Sequence, residues 1–213
     1  MTVSPSSLTV GPLGGQSAEF TITAHPPPTG GALTIPLTPP AFASTSPAGS
    51  ASLAQGASSV NVTVSGTGST DQTGALSFGT LSGADAGYNA QSFGATIAVT
   101  EVSFGAITVS PSSVSVAQNG ASGAQVTVSF NPAPSSPVRI VLTVPASCSV
   151  VGGSTLSIPA LATTVHFTVL GGSSVTSTSI TLGAASSADP KYGGAPASPS
   201  SVAINIVAQG LRA

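Results

Sequence analysis

The chain repeats its own sequence at a spacing of about half its length. The opening stretch MTVSPSSLTV, residues 1–10, returns as ITVSPSSVSV at residues 107–116, with seven of the ten positions identical. Two further pairs of blocks align in the same order: residues 15–41 with 120–146, and residues 75–88 with 179–192. Each half is long enough to enclose one β-sandwich core. We therefore predict two domains of the same fold, residues 1–103 and residues 104–213.

Apolar and polar residues alternate within each repeated block. In AEFTITA, Phe20 and Ile22 share one phase, and in AQVTVSF the apolar phase holds Val126, Val128 and Phe130. Such alternation in segments rich in Val, Ile, Thr and Phe is typical of half-buried β-strands. No segment keeps a helical period over ten residues, and the 18 prolines and 25 glycines mark turns.

The alternating segments predict seven strands in each half. They are residues 2–10, 17–24, 32–38, 50–54, 59–65, 74–81 and 94–102, and then residues 107–116, 123–130, 137–144, 154–158, 163–170, 177–184 and 201–208. Seven short strands joined by Pro/Gly turns indicate an all-β chain of two tandem immunoglobulin-like β-sandwiches. Pro5 and Pro111 lack an N–H, so we expect the first strand to bend there and cross between the sheets.

The charge of the chain is unusually low for a globular protein. Charged residues make up 4% of the sequence, where about 25% is usual. The net charge is −2, with three basic residues, which predicts no binding of nucleic acid or an anionic membrane. No window approaches the ~20 apolar residues of a membrane span. A surface with so little repulsion is expected to carry glycan, to be buried in an assembly or to belong to a longer array.

One family resemblance follows from three stretches of the second half: TVSPSSVSVAQNGASGAQVTVSF, VRIVLTV and STLSIPALATTVHFTV. They resemble the immunoglobulin-like repeats of bacterial surface proteins and adhesins, including repeats similar to Calx-β modules. The resemblance covers the chain twice and implies an extracellular, multidomain, rod-like protein. Calx-β modules bind calcium through clustered acidic residues, which this sequence lacks, so calcium binding is not carried over.

The ends of the two repeats allow the linker to be compared with the tail. Alignment of Ile97 with Ile204 sets the linker EVSFGA against the final residues AQGLRA. In this alignment Leu211 takes the place of Phe104. We therefore expect the tail of one chain to abut the start of another, as the first domain abuts the second.

This alignment predicts two seams. Phe104 and Ile107 are expected at the seam between the domains, and Leu211 and Met1 at a seam between subunits. Head-to-tail contacts that do not close into a ring build filaments, so the expected partner is a further copy of this chain. Two alternatives stay open: the chain is a two-repeat piece of a longer covalent array, or a terminal strand completes a neighbour's sheet.

The residue types that carry catalysis and metal binding are sparse. His25 and His166 lie in different halves without a nearby acid, and no nucleophile motif is present. One cysteine, Cys148, excludes an intrachain disulfide and is interpreted as a small buried residue. The absence of tryptophan and of a Gly-rich phosphate loop argues against sugar and nucleotide sites. We predict that the chain is not an enzyme and holds no metal or cofactor.

Two acidic residues recur with a tyrosine three positions later. Asp85 precedes Tyr88 and Asp189 precedes Tyr192, in aligned loops of the two halves. A single Asp in a loop is typically a turn residue. We predict that each pair fixes a turn, with the Tyr hydroxyl bonding back to the backbone as in the tyrosine corner of immunoglobulin folds.

One N-glycosylation sequon, NVT at Asn61, lies in the outward phase of a predicted strand, and the Pro/Ser/Thr loops are candidate O-glycan carriers. The function predicted from all this is that of a structural subunit of an extracellular, pilus-like filament assembled head to tail. The alternative is a stalk or binding module of a larger cell-surface adhesin. A ligand-binding loop would differ strongly between the repeats, as residues 66–73 differ from residues 171–177.

Overall fold

Regular structure in this chain is β-strand, as the alternation predicts. The computed structural model describes residues 1–120 and 122–208, and within them the only helical turns are two short 3₁₀ segments, Pro12–Gly14 and Gln118–Gly120. The chain divides into unit 1, Met1–Phe104, and unit 2, Gly105–Ala213, one residue after the predicted boundary. No helix in the described ranges has the length and apolar character of a membrane span.

Unit 1 contains ten strands: β1 (Thr2–Ser4), β2 (Ser7–Val10), β3 (Ser17–Thr23), β4 (Leu33–Thr38), β5 (Ala43–Ser46), β6 (Ser50–Leu53), β7 (Ser59–Gly66), β8 (Gln72–Phe78), β9 (Ser82–Gly83) and β10 (Thr96–Glu101). One sheet has the order β1-β3-β7-β5. The other has the order β2-β10-β8-β4-β6, with β9 beside β4. The core lies between the two sheets, where buried side chains from alternate strand positions meet.

The described residues of unit 2 form eleven strands: β11 (Ala106–Ser110), β12 (Ser113–Ala117), β13 (Ala124–Asn131), β14 (Val138–Thr143), β15 (Cys148–Val151), β16 (Thr155–Ile158), β17 (Thr164–Gly171), β18 (Thr176–Leu182), β19 (Ser186–Ser187), β20 (Ala197–Ser198) and β21 (Ser201–Val207). Its sheets have the orders β15-β17-β13-β11-β20 and β12-β21-β18-β14-β16, with β19 beside β14. The chain is therefore two immunoglobulin-like β-sandwiches in tandem, as predicted.

The first predicted strand of each unit is split at its proline. In unit 1, β1 pairs with β3 in one sheet, whereas β2 pairs with β10 in the other. In unit 2, β11 pairs with β13 and β12 pairs with β21. Pro5 and Pro111 stand in the gaps, so the expected crossing between sheets is confirmed. It places the N-terminal segment of each unit against both sheets.

Five short strands escaped the sequence analysis: β5, β15 and the two-residue strands β9, β19 and β20. β5 and β15 each lie at the edge of the sheet opposite the one that holds their chain neighbours β4 and β14. In β5 the inward positions are Ala43 and Thr45, whose side chains are too small or too polar to mark an apolar phase. β15 begins with Cys148, which is buried, as expected for a small apolar residue.

The ladders of the terminal strands define which residues of the two units correspond. Val10 of β2 lies opposite Glu101 of β10, and Val116 of β12 lies opposite Ile206 of β21. Val10 and Val116 hold the same place in the opening repeat. Glu101 therefore corresponds to Ile206.

Two glycines give the same correspondence independently. A Cβ built on Gly66 would lie 2.3 Å from Oε1 of Glu101, and a Cβ built on Gly171 would lie 3.1 Å from Cγ2 of Ile206. Each Cβ would also lie 2.4 Å from the carbonyl oxygen of the residue that directly follows the opening repeat, Gly11 in unit 1 and Ala117 in unit 2.

The alignment of Ile97 with Ile204 is therefore wrong by two residues. The counterpart of Ile97 is Val202, since each lies opposite the matching residue of the preceding long strand. A shift of two keeps every side chain on its own face of the sheet, so the alternation of the sequence does not reveal it. Counted in the corrected register, Leu211 no longer takes the place of Phe104.

Candidate functional site

A carboxylate fastens two loops together at one end of unit 1. Asp85 follows β9, and its Oδ2 accepts hydrogen bonds from the N–H groups of Thr29, at 2.6 Å, and Gly30, at 2.9 Å. Its Oδ1 accepts from the N–H of Gly87 at 2.9 Å. Asp85 thus holds its own turn and also the loop between β3 and β4, which lies more than 50 residues earlier in the chain.

A tyrosine closes the same loops from the other side. The hydroxyl of Tyr88 donates to the carbonyl oxygen of Pro26 at 2.5 Å, and the N–H of Tyr88 donates to the carbonyl of Asp85 at 3.2 Å. The side chain is almost buried, with 8% of its surface exposed. We call the Asp and Tyr together the Asp–Tyr clasp.

Unit 2 contains the second Asp–Tyr clasp, formed by Asp189 and Tyr192. Oδ2 of Asp189 accepts from the N–H and the hydroxyl of Ser135, at 2.6 and 2.9 Å, and Oδ1 accepts from the N–H of Lys191 at 2.9 Å. The hydroxyl of Tyr192 donates to the carbonyl of Pro132. The ring is fully buried and meets Phe130 edge-on, with ring centroids 5.6 Å apart.

The clasps shift the pKa values of their own groups. The hydrogen bonds from Gly30 and Thr29 outweigh burial and lower the pKa of Asp85 below its ordinary 3.8. Burial works to raise the pKa of Asp189, but the Ser135 and Lys191 hydrogen bonds and the charge of Lys191 together lower it below 3.8. Burial, and then the charge of Asp189, raises the pKa of Tyr192.

The two clasps differ in what lies against the tyrosine. In unit 2, Gly105 packs directly on Tyr192: a Cβ there would lie 2.4 Å from Cζ of the ring. The N–H of Gly105 also donates to the carbonyl of Lys191 at 2.9 Å. In unit 1 the corresponding carbonyl, that of Gly87, accepts from the side-chain amide of Gln91 instead.

Beside Tyr88 the surface is open. A cleft of about 470 Å³ is lined by Met1, His25, Pro26, Pro27, Thr29, Asp85, Gly87, Tyr88 and Gln91. We call this the Tyr88 cleft. Met1, predicted at a seam between subunits, thus lies at its rim with a half-buried side chain. The structure brings Met1, Asp85 and Tyr88 together, which the sequence analysis had treated as separate features.

A buried carboxyl group lies at the other end of unit 1, and the sequence analysis missed it. The side chain of Glu101 is 0% exposed. Its Oε1 accepts from the N–H of Gly68 at 2.8 Å, and its Oε2 lies 3.5 Å from Nε2 of Gln72. Glu101 continues the inward phase of Ile97 and Val99, and that phase is the signal that could have found it. The loop of residues 66–73, suspected as a ligand loop, is thus tied to the end of β10.

The remaining predicted residues fall in several places. Asn61 is exposed on β7, and its Oδ1 accepts from the hydroxyl of Thr21 at 2.9 Å. Phe104 is half-buried, and Ile107 is buried on β11 opposite Phe130. Leu211 lies outside the described residues. The glycan on Asn61 and the two seams stay predictions.

The histidines are also separate. His25 lines the Tyr88 cleft, while Nδ1 of His166 lies 3.0 Å from the hydroxyl of Thr127. In the part of the chain that the structure describes, no group of three His, Cys, Asp or Glu side chains is placed to hold a metal ion.

Comparison with known proteins gives remote structural similarity. No protein family and no curated relative matches the sequence. Among solved structures, the calcium-binding domain CBD12 of CALX1.1 is similar at 12% identity and a TM-score of 0.40, over 87% of this chain and 81% of that one. Domains 4 and 5 of the S-layer protein SbsC are similar at 17% identity and a TM-score of 0.31, over 82% and 76%.

A third similar structure is a chaperone–tip adhesin complex of CFA/I fimbriae biogenesis, at 10% identity and a TM-score of 0.36, over 85% of this chain and 90% of that one. Identities and TM-scores at this level carry no assignment of function.

Proposed function

We propose that this chain is a structural subunit of an extracellular, pilus-like filament assembled head to tail, and that the paired terminal strands of each unit carry tension along it. The observation behind the proposal is the parallel pairing of β2 with β10 and of β12 with β21. In each unit, the second strand lies directly beside the last strand that the structure describes.

Parallel terminal strands resist stretching for a geometric reason. A force on the two ends of a unit pulls β2 and β10 in opposite directions along their common axis. The evenly spaced hydrogen bonds of the parallel ladder are then sheared together rather than opened one at a time. Four residue pairs share the load in unit 1 and five in unit 2. The same geometry would serve a stalk of a surface adhesin, so tests of strength and of assembly are both needed.

The Asp–Tyr clasps add support. Loops at the ends of a sandwich are where such folds usually place binding residues. Here the carboxylate and the hydroxyl tie those loops to each other in both units. Fixed loops suit a rigid structural element.

Force spectroscopy on single molecules tests the mechanical part. Stretching the chain through its termini should give two unfolding peaks of high force, one for each unit. Ala98→Pro removes the N–H that donates to the carbonyl of Ser6 at 3.0 Å, and it should weaken one peak only. Unit 2 is the internal control, since Ala203 makes the matching bond to Ser112 at 2.9 Å. Two weak peaks in the unaltered chain would contradict the proposal.

Sedimentation and electron microscopy test the assembly. We expect the purified chain to form concentration-dependent polymers, and fibres to be visible on material from its source. A chain that sediments as a monomer at micromolar concentration, from a source without fibres, would remove the filament and leave the stalk.

A further inference from the structure

The first strand of unit 2 is held on both of its edges. On one edge β11 pairs with β13. On the other edge it pairs in parallel with β20, through two residue pairs: Ile107 with Ala197 and Thr108 with Ser198. β20 is followed after two residues by β21, the strand that pairs with β12. Both parts of the split first strand therefore lie beside segments from the end of the unit.

Unit 1 holds the matching part of its first strand on one edge only. β1 is an edge strand of its sheet, and within unit 1 it pairs with β3 and with no other strand. The segment before β10, where unit 2 has β20, forms a single bridge between Ser92 and Thr80 and no ladder. The outer edge of β1 thus has no counterpart of β20.

The cause of this difference lies between the clasp and the last strand. The fifth residue after the tyrosine is Phe93 in unit 1 and Ala197 in unit 2, and both are buried. Phe93 fills part of the core, with its ring centroid 4.8 Å from that of Phe78. Ala197 takes little room, so the backbone of β20 lies beside β11 at the spacing of a ladder, about 4.8 Å. The difference therefore comes from residues 89–95 and not from those before β1.

A force along the chain loads β20 in the same sense as β21. The force pulls β11 toward the start of unit 2, while β20 is drawn the other way through its short link to β21. The pairs of β11 with β20 are then sheared together with those of β12 with β21. Two parallel pairs of β20 and five of β21 resist in unit 2, against four of β10 in unit 1.

We propose that tension unfolds the two units in a fixed order, unit 1 first and unit 2 second, because β20 adds a second parallel ladder to unit 2. Unit 1 is then a reserve of length. Its 104 residues extend to roughly 350 Å, so a loaded chain lengthens at unit 1 while unit 2 stays folded. This inference rests on the proposed structural function under tension, and it names the part of the chain that limits that tension.

A length marker shows which unit unfolds first. The turn between β15 and β16 is a suitable place, because a Cβ on Gly152 or Gly153 would meet no atom within 4 Å. About 20 flexible residues inserted between these glycines add about 70 Å to the length that unit 2 releases. At constant force we expect the event without the added length to come first. Unit 2 should unfold about tenfold more slowly than unit 1, since two more pairs must break.

Variants of unit 2 separate the ladder from general stability. Ala197→Phe copies the residue of unit 1 and should remove most of the tenfold difference, because a ring at this place lifts β20 away from β11. Faster hydrogen exchange in residues 197–198 checks that the ladder has opened. Ile158→Val and Ile158→Ala are the matched controls, at a buried residue of β16 outside the loaded ladders. At an equal shift of the urea midpoint, they should speed unfolding under force several times less than Ala197→Phe does.

The outcomes separate this inference from the proposed function. If unit 2 unfolds first or as fast as unit 1, the inference is overturned, even in a chain that forms filaments. It is also overturned if Ala197→Phe acts under force no more strongly than the Ile158 variants. Should Ala197→Phe keep unit 2 from folding, the order in the marked but otherwise unaltered chain decides alone. Ordered unfolding in a chain that never polymerises supports the inference and removes the filament.

Discussion

The two Asp–Tyr clasps tie the same pair of loops through similar bonds, although a Ser135 hydroxyl in unit 2 stands in for one of the two loop N–H donors of unit 1, and their covers differ. In unit 2 the linker residue Gly105 seals the ring of Tyr192, while in unit 1 the ring of Tyr88 borders an open cleft. The carboxylate bonds and the tyrosine bond are alike in both units, so they do not depend on the cover. The clasp is therefore a feature of the fold of each repeat, whereas the cover over Tyr192 comes from Gly105, the residue directly before β11.

The largest effect is expected where the cover is tightest. Gly105→Ala places a Cβ about 2.4 Å from the ring of Tyr192, and we expect it to destabilise unit 2 by about 3 kcal/mol. Hydrogen exchange during urea denaturation, read from peptides of each unit, measures the effect separately in the two units. Unit 1 should keep its stability.

A matched glycine sharpens this test. Gly94→Ala in unit 1 adds a Cβ with no atom within 4 Å and should change stability by less than about 0.5 kcal/mol. If Gly105→Ala is equally silent, the ring of Tyr192 is free to move aside, and the cover is not a tight fit.

The second difference between the units lies at the ends of their last strands. Glu101 is buried where unit 2 has Ile206, and it accepts the hydrogen bond of Gly68 at 2.8 Å. Glu101→Ala should cost unit 1 about 2 kcal/mol, because the N–H of Gly68 loses its partner. Chemical denaturation followed by circular dichroism measures the loss. Glu19→Ala, at an exposed acid on β3, is the control and should change stability by less than about 0.5 kcal/mol.

Much of the fold follows from sequence because its signals are local. Alternation defines the long strands, and a proline inside a strand pattern predicts the crossing between sheets, as at Pro5. The two-residue error at Ile97 has a physical cause: sheets repeat every two residues, so a shift of two leaves the pattern unchanged. Strand β5 was missed because small and polar side chains carry no apolar phase.

The candidate site was less accessible from sequence. The repeated spacing of Asp and Tyr predicts a turn. However, the distant partners of Asp85 and Tyr88 are backbone groups 55 to 62 residues away. A backbone group is present at every residue, so the sequence does not show which one will be the partner. Likewise, the role of Gly105 depends on a tyrosine far along the chain. These contacts come from loop packing, which the alternation of strand residues does not encode.

Acid should weaken both clasps. The pKa values of Asp85 and Asp189 are lowered in the folded units, whereas the unfolded chain keeps about 3.8. The carboxylates therefore contribute stability above pH 3.8, and this contribution is lost as the pH falls below 3.8 through the folded pKa values. Thermal unfolding between about pH 5 and about pH 2.5 should show a falling midpoint for both units.

Substitution assigns the acid effect to the clasp. Asp85→Asn should reduce the fall of the unfolding midpoint of unit 1 as the pH decreases. The midpoint of unit 2 should fall as before, and it serves as the control. The comparison is made against the unaltered chain at each pH. An unchanged slope in the Asp85→Asn chain would mean that this carboxylate does not contribute to acid sensitivity.

The smallest expected effect is a gain from copying unit 2 into unit 1. Leu13 has a left-handed backbone, with φ of 50°, and its side chain is 66% exposed; its counterpart Asn119 has φ of 61°. Asn tolerates this conformation better than Leu, so Leu13→Asn should stabilise unit 1 by about 1 kcal/mol. The reverse change, Asn119→Leu, should cost unit 2 a similar amount. Equilibrium unfolding of both variants measures the pair. Changes of the same sign would show that the neighbours of Leu13, and not its backbone, decide its contribution.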